Sequence, residues 1–290
     1  MSNTPATMNT PSRSIAAPPL LLVQDISVRF AGVKALTAIS FQVQPGELFA
    51  VIGPNGAGKT SLFNVLSRVY TPVAGQVTFA GRDLLRLKTH QVARVGIART
   101  FQNLGQFPNT TVLDYLLLGR HTRMRSGILF GGIYLGMTRN EEQKNRAYCL
   151  HLLKLLGLER LRNSPLRSLP YGLQKRADLA RALALEPKLL LLDEPSAGMS
   201  VEETEDIASV ILDTKEQLGV THILVEHDMA LVMGIADHVL VLDFGRVIAQ
   251  GTPAQVQANP DVIKAYLGED FGSKQLEDAF IPADDSRDRR

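Results

Sequence analysis

The sequence contains no tryptophan and a single cysteine, Cys149, among its 290 residues. One cysteine excludes an internal disulfide framework and suits a reducing compartment. The 31 lysines and arginines nearly balance the 29 acidic residues, and a net charge of +2 lacks the basic excess of a nucleic-acid-binding surface. We therefore expect no nucleic-acid partner. No apolar run approaches the roughly 18 residues that span a bilayer, because the longest candidate, 223–242, is interrupted by charged residues.

The two ends of the chain differ in composition from the rest. Residues 1–19 are rich in serine, threonine, proline and alanine and lack an apolar core, so they predict a disordered leader and not a secretion signal. Residues 269–290 are highly charged and predict a flexible tail. The stretch from 20 to 268 remains as one large folded unit, and an apolar fraction of 45 % is enough for a sizeable core.

The most informative motif is a glycine-rich loop that fits the phosphate-binding pattern G-x-x-x-x-G-K-[ST]. A short apolar strand is predicted before it, at 48–52, and an amphipathic helix from Ser61. Glycines let the backbone wrap a polyphosphate, and the helix N-terminus adds positive partial charge. We expect Lys59 to reach the β- and γ-phosphates, Thr60 to ligate Mg²⁺ and Ser61 to lie near the α-phosphate. The predicted ATP-binding residues of this loop are Gly53, Pro54, Asn55, Gly56, Ala57, Gly58, Lys59, Thr60 and Ser61.

A second motif is an uninterrupted apolar strand, Leu189 to Leu192, that ends in two acids, Asp193 and Glu194. Such a run suits a parallel strand covered on both faces. Asp193, at the carboxyl end of the strand, is placed to hold Mg²⁺. Glu194 is placed to orient or deprotonate an attacking water. Together with the phosphate-binding loop, this strand predicts hydrolysis of a nucleoside triphosphate.

The rest of the chain predicts a mixed α/β core with a helical insertion. Strands dominate before Gly81, helices fill about 102–187, and strands alternate with helices from Leu189 onward. Within the insertion, Asn140 followed by two glutamates predicts the start of a helix, and Gly157 predicts its end.

Two further segments predict local structure. Val239 to Leu242 and Arg246 to Gln250 flank a short turn and predict a hairpin. Ser126 to Gly136 is glycine-rich and apolar but too short to span a membrane. We expect a surface excursion between two helices there, with a membrane-touching loop as the alternative.

Five further motifs, in order along the chain, resemble those of the nucleotide-binding subunit of an ATP-binding cassette (ABC) transporter. Arg99 to Asn103 resembles the Q-loop, in which Gln102 senses Mg²⁺ and water. Glu226-His227-Asp228 supplies the switch histidine, His227, and Phe30 stands where the family has an aromatic ring that stacks on adenine. The D-loop residues are Ser196, Ala197, Gly198 and Met199, and the residues in place of the signature, which acts on the opposite subunit, are Leu169, Pro170, Tyr171, Gly172 and Leu173.

The resemblance covers about 20–268 and implies ATP hydrolysis with Mg²⁺. It implies a P-loop NTPase core of the ABC-ATPase type, with an antiparallel β subdomain and a helical signature subdomain at about 103–187. Glu194, His227 and Gln102 are the implied catalytic residues, and Thr60, Gln102 and Asp193 the implied metal ligands.

The signature departs from the family pattern. It reads Leu-Pro-Tyr-Gly-Leu instead of Leu-Ser-Gly-Gly-Gln, and Pro170 has neither a hydroxyl nor an N–H to offer a γ-phosphate. The Gly172 N–H and the helix dipole remain. We hypothesise that the site completed by this signature is the weaker of two.

Finer details resemble the ATPases of branched-chain amino-acid importers. They include the runs Gly96 to Asn103, Val225 to Met229 and Val262 to Gly268, and the long insertion after Arg120. This resemblance implies a peripheral protein on the cytoplasmic face of the inner (plasma) membrane. Its implied partners are two integral membrane permeases, a second related ATPase (or a second copy of the chain) and, indirectly, an external solute-binding protein.

Other readings of the sequence remain open. A lipid or lipopolysaccharide exporter would use the same chemistry with other partners, although the long insertion and the run after Val225 argue against it. A cassette protein of translation or DNA repair usually carries two cassettes or a coiled-coil insertion, and neither is present. A small-molecule kinase is disfavoured by Glu194, His227 and the signature. No residue of the chain identifies the transported solute.

Overall fold

The computed structural model describes residues 18–100, 110–120 and 135–267, with the side chains of 135–139 left out. The predicted tail and Gln102 lie outside these residues, as do most of the predicted leader and most of the glycine-rich stretch. Among the described helices, none is long and apolar enough to cross a membrane.

The first layer is a four-stranded antiparallel sheet with the strand order β2-β1-β4-β5. Residues of β1 and β2 alternate between buried and exposed, as expected for a sheet with one face on the core. The strands are β1 (Leu21–Phe30), β2 (Val33–Val43), β4 (Ala74–Phe79) and β5 (Arg82–Asp83).

The second layer is a six-stranded sheet with the order β10-β9-β3-β8-β7-β6. Its strands are parallel except for β10, which forms the predicted hairpin with β9. Every residue of β3, β7 and β8 is buried. The strands are β3 (Leu48–Ile52), β6 (Ile97–Arg99), β7 (Leu189–Asp193), β8 (Thr221–Val225), β9 (His238–Asp243) and β10 (Arg246–Gly251).

Helices cover the six-stranded sheet. In the described part of the chain, three short 3₁₀ turns add to them, at Leu84–Arg86, Glu159–Leu161 and Leu166–Ser168. The helices are α1 (Lys59–Leu66), α2 (Thr89–Val95), α3 (Val112–Arg120), α4 (Leu135–Leu155), α5 (Tyr171–Leu183), α6 (Val201–Leu218), α7 (Met229–Ile235), α8 (Pro253–Gln257) and α9 (Pro260–Leu267).

The core has two parts, one on each face of the six-stranded sheet. Phe49 and Val51 of β3 pack with the four-stranded sheet and α1. Leu48 and Ala50 of the same strand pack with α3, α4 and α5. This alternation follows from the two-residue period of a strand, and it explains why these strands are apolar without interruption. Cys149 is fully buried in the helical part.

One predicted boundary is wrong. The helix expected to start at Asn140 begins at Leu135, so Asn140 lies inside α4. Asn140 and Glu142 are exposed there, and polar side chains on the solvated face of a helix cost little. The end of this helix was predicted correctly, since Gly157 adopts φ +70° just after it.

His222 of β8 is a titratable side chain buried in the core. It is fully buried, and its Nε2 lies 3.1 Å from Thr214 Oγ1. The Thr214 hydroxyl oxygen also lies 2.8 Å from the Ile211 carbonyl oxygen. Burial lowers the pKa of His222 to about 4.

This depressed pKa predicts an acid-sensitive fold. The unfolded chain gains a proton at His222 near pH 6.5 and the folded protein only near pH 4, so stability present above pH 6.5 is lost as the pH falls toward 4. Between pH 7 and pH 5 we expect the wild type to lose about 2 kcal/mol more than His222→Gln, which cannot titrate. Urea unfolding of both proteins at the two pH values measures this difference. Equal losses would contradict the prediction.

Candidate active site

The carboxyl ends of three neighbouring parallel strands form the site. β3, β8 and β7 lie side by side in the sheet, so the segments that follow them meet at one edge. Gly53 follows β3, Glu194 follows β7, and Glu226 follows β8. Residues far apart in the chain therefore face a common space.

The phosphate-binding loop joins β3 to α1, which begins at Lys59. Gly53 and Gly58 have φ values of +146° and +102°, and a Cβ at Gly53 would lie 2.0 Å from the Leu242 carbonyl oxygen. Only glycine fits there. Lys59 is buried, and its ammonium donates to the carbonyls of Gly53 and Pro54 at 2.5 and 2.9 Å. The loop thus encloses the ammonium group of Lys59, which is predicted to contact the phosphates.

A cavity of about 200 Å³ opens over this loop. Glu194 and His227 line it opposite the loop, so the structure brings these predicted residues together. The loop residues that line the same cavity are Asn55, Gly56, Ala57, Gly58, Lys59, Thr60 and Ser61.

Glu194 and His227 form a hydrogen-bonded pair. Glu194 Oε1 lies 2.7 Å from His227 Nε2. Glu194 has φ +49°, a left-handed conformation that costs a non-glycine residue energy and is often found at functional sites. Its backbone N–H donates to the Val225 carbonyl at 2.9 Å, which fixes it to the end of β8. The carboxylate is therefore aimed at the cavity by both its backbone and its partner.

Asp193 is held by an arginine that the sequence did not identify as functional. The Arg99 guanidinium, at the end of β6, donates to Asp193 Oδ2 at 2.6 Å and to Asn64 Oδ1 of α1 at 2.8 Å. The Asp193 side chain is only 1 % exposed. Among the described residues its other oxygen, Oδ1, has no hydrogen-bond partner. A buried carboxylate oxygen without a donor is the kind of ligand that Mg²⁺ prefers, so the residues fit the predicted cation.

Arg99 also joins this edge to the helical part of the core. Its carbonyl accepts from Arg181 Nη2 of α5 at 3.1 Å, and Arg181 Nε donates to Asp178 at 2.9 Å. Asp178 also accepts from the Tyr115 hydroxyl of α3 at 2.9 Å. Burial raises the pKa of Tyr115, which keeps the phenol as a donor. A continuous polar network thus runs from α3 to Asp193.

The signature residues lie at the start of α5 and do not line the cavity over the loop. Pro170 is the N-cap and Tyr171 is 45 % exposed. Gly172 is buried so closely against α6 that a Cβ would lie 2.7 Å from Glu203 Oε1. Leu169 is buried and Leu173 partly buried in the helical core.

The other predicted residues are more scattered. Phe30, at the end of β1, is 43 % exposed with its ring 4.7 Å from the Tyr70 ring, and it does not line the cavity. Gln102 lies outside the described residues. In the predicted D-loop Ser196 is buried, Ala197 and Gly198 are exposed, and Met199 is partly buried.

The sheet and the loop together define a P-loop nucleotide-binding protein of the mixed α/β class. The sequence profile of the ABC transporter family matches residues 36–197. That of the branched-chain amino acid ATP-binding cassette transporter matches 246–272. The chain belongs to the ABC transporter family.

Relatives across most of the chain agree with this assignment. The chain is 39 % identical to the high-affinity branched-chain amino acid transport ATP-binding protein BraF of Pseudomonas aeruginosa, over 87 % of this chain and 98 % of the relative. It is 38 % identical, with the same coverage, to the protein of the same description, LivG, of Escherichia coli.

Solved structures give the same fold. A nucleotide-free ATP-binding cassette from an ABC transporter matches with a TM-score of 0.76 at 29 % identity, covering 87 % of this chain and 100 % of the other. The ADP conformation of an ATP-binding cassette of an ABC transporter matches with the same score and coverage at 30 % identity.

The contacts of Arg99 predict a large effect on stability. Arg99→Gln leaves Asp193 buried without its cation, which typically costs about 3–5 kcal/mol. Arg86→Gln is the control, because Arg86 pairs with Asp83 at 3.1 Å but is 86 % exposed. Its loss should stay below about 1 kcal/mol. Urea unfolding at pH 7 compares the two variants, and equal stabilities would show that Asp193 does not depend on Arg99.

Proposed function

We propose that this chain is the ATP-hydrolysing subunit of an ABC importer for branched-chain or related amino acids. The observation that carries the proposal is the Glu194–His227 pair, 2.7 Å between Oε1 and Nε2, facing the phosphate-binding loop across one cavity. The relatives described as branched-chain amino acid transport ATP-binding proteins support the transport role. Lipid or lipopolysaccharide export, the alternative, is not favoured by these relatives.

In the proposed reaction the loop binds the polyphosphate of ATP with its backbone N–H groups and the N-terminus of α1. Lys59, now on the carbonyls of Gly53 and Pro54, turns to the β- and γ-phosphates. Glu194 orients the attacking water and takes its proton, while His227 holds the Glu194 carboxylate in place. Preorganised groups of this kind stabilise the charge that develops on the phosphate.

Mg²⁺, when bound, would neutralise charge on the β- and γ-phosphates. Thr60, Asp193 and Gln102 are the residues proposed to hold it. Arg99 keeps Asp193 in one rotamer by occupying its Oδ2. Phe30 is proposed to stack on the adenine ring, and its 43 % exposed side chain is accessible for this role.

Assembly completes the proposed site. Two ATPase subunits sandwich two nucleotides, and the signature of each subunit covers the nucleotide of the other. We infer a related sibling ATPase as the partner, with a second copy of this chain as the alternative. The pair works on two integral membrane permeases at the cytoplasmic face of the membrane, and an external solute-binding protein delivers the solute.

The variant Glu194→Gln tests the catalytic assignment. It keeps the size of the side chain but removes the base, so ATP binding should persist while turnover falls by about 10²–10⁴. Fluorescent-nucleotide binding and phosphate release measure the two steps, and full hydrolysis would place the base elsewhere.

The same variant, with ATP, should retain permeases and a second ATPase in a pull-down from native membranes. Lipid-export components, ribosomes or DNA in their place would overturn the transport role.

The signature gives a second test. Pro170→Ser places a hydroxyl at the N-cap of α5, where serine also stabilises a helix by about 1 kcal/mol. If the hydroxyl reaches the partner's γ-phosphate, hydrolysis should rise by about 10-fold or more, as a charge-assisted hydrogen bond of about 1.5–3 kcal/mol allows. Pro170→Ala restores the N–H alone and separates the two contributions. Unchanged or lower hydrolysis in the serine variant would exclude the weak-site hypothesis.

A further inference from the structure

The first residue after β8, Glu226, is a buried acid to which the family motifs above assign no role. It is only 2 % exposed, between the cavity-lining Glu194–His227 pair and the loop that starts at Ser196. A carboxylate is rarely buried unless it is fully hydrogen-bonded. Its contacts therefore indicate what it is for.

Both carboxylate oxygens of Glu226 accept hydrogen bonds, each from a different loop. Oε1 accepts from the Ser196 backbone N–H at 2.8 Å and from the Ser196 hydroxyl at 2.7 Å. Oε2 accepts from the His227 backbone N–H at 3.1 Å. These donors are neutral, as is the Asp228 backbone N–H, which also acts on Glu226, so the contacts fix positions and do not pair charges. Burial raises the pKa of Glu226, and these donors act in the opposite direction.

These contacts close a ring of interactions around the catalytic edge. The Glu194 carboxylate is hydrogen-bonded to the His227 ring, and the His227 backbone N–H donates to the Glu226 carboxylate. Glu226 meets Ser196, which lies two residues after Glu194 in the chain. Because each member has two fixed neighbours, a displacement of the loop at Ser196 alters the position of His227.

We propose that Glu226 is a positioning residue that joins the Ser196–Met199 loop to His227, so that the two move as one unit. This inference rests on the proposed function. Ala197 and Gly198, in the middle of this loop, are exposed, and we place them at the contact with the second subunit. A displacement of this loop by the docked partner then moves Ser196 and Glu226 and, through them, the Glu194–His227 pair. Hydrolysis therefore depends on assembly.

Glu47 offers a matched control. It is also a buried carboxylate, 8 % exposed, that accepts from a backbone N–H, that of Gln44, and contacts a histidine, His238. It lies just before β3, at the opposite end of the same sheet. Glu47→Gln and Glu226→Gln therefore make the same chemical change in similar surroundings, and only Glu226 is next to the catalytic edge.

Hydrogen exchange tests the coupling without requiring turnover. Ser196→Ala removes only a side-chain donor to Glu226, yet we expect the His227 amide to exchange several-fold faster. Glu226→Gln should speed exchange at both Ser196 and His227, whereas Glu47→Gln should change only the other end of the sheet. An unchanged His227 amide in Ser196→Ala would overturn the proposal. This variant is mild enough to keep the outcome decisive even if Glu226→Gln folds poorly.

Kinetics provide the second measurement. We expect Glu226→Gln to lower kcat for ATP at least 10-fold with KM changed less than 3-fold, because the phosphate-binding loop is untouched. Glu47→Gln should lower stability but leave kcat unchanged. Equal losses of kcat in both variants would show that Glu226 has only a structural role, which would overturn the proposal. A wild-type protein that does not hydrolyse ATP would count against the proposed function, while the exchange data would still decide the coupling.

Discussion

The whole structure depends on three parallel strands whose carboxyl ends meet at one edge of a sheet. β3, β8 and β7 are buried on both faces, so their positions are fixed by packing on two sides. Two of these strands are followed directly by a residue with a constrained backbone, Gly53 after β3 with φ +146° and Glu194 after β7 with φ +49°. The site residues therefore need few contacts of their own to be held in place, because the two halves of the core fix the strands that carry them.

Polar contacts at this edge connect elements that hydrophobic packing alone would leave independent. Arg99 joins β6, α1 and β7, and its carbonyl carries the contact on to Arg181 of α5. Glu226 joins the two loops on the other side of Glu194. Buried charges of this kind are weak evidence for stability, but each removes alternative rotamers and so specifies one geometry. The site is precise because its supporting residues are buried and paired.

The sequence predicts the strands and the phosphate-binding loop well because these signals are local. The apolar run Leu189–Leu192 is a buried strand, and the glycines of the loop occupy conformations that only glycine adopts. Contacts between distant residues leave no such signal. Arg99 pairs with Asp193, 94 positions away in the chain, and although Arg99 lies in the Q-loop motif, nothing in that motif identifies Asp193 as its partner. Asn140 misled the prediction in another way, since a residue typical of a cap also suits the exposed face of a helix.

The departure at Pro170 is tolerated because α5 is anchored away from its first residue. Gly172 packs against Glu203 of α6, and the Gln174 side-chain amide donates to the Leu169 carbonyl at 2.8 Å. At the other end of the helix Arg181 reaches the Arg99 carbonyl, one contact away from Asp193. A helix fixed at both ends keeps its direction without a capping side chain. The loss of serine therefore affects what the N-terminus of α5 can offer to a ligand, and leaves the helix itself in place.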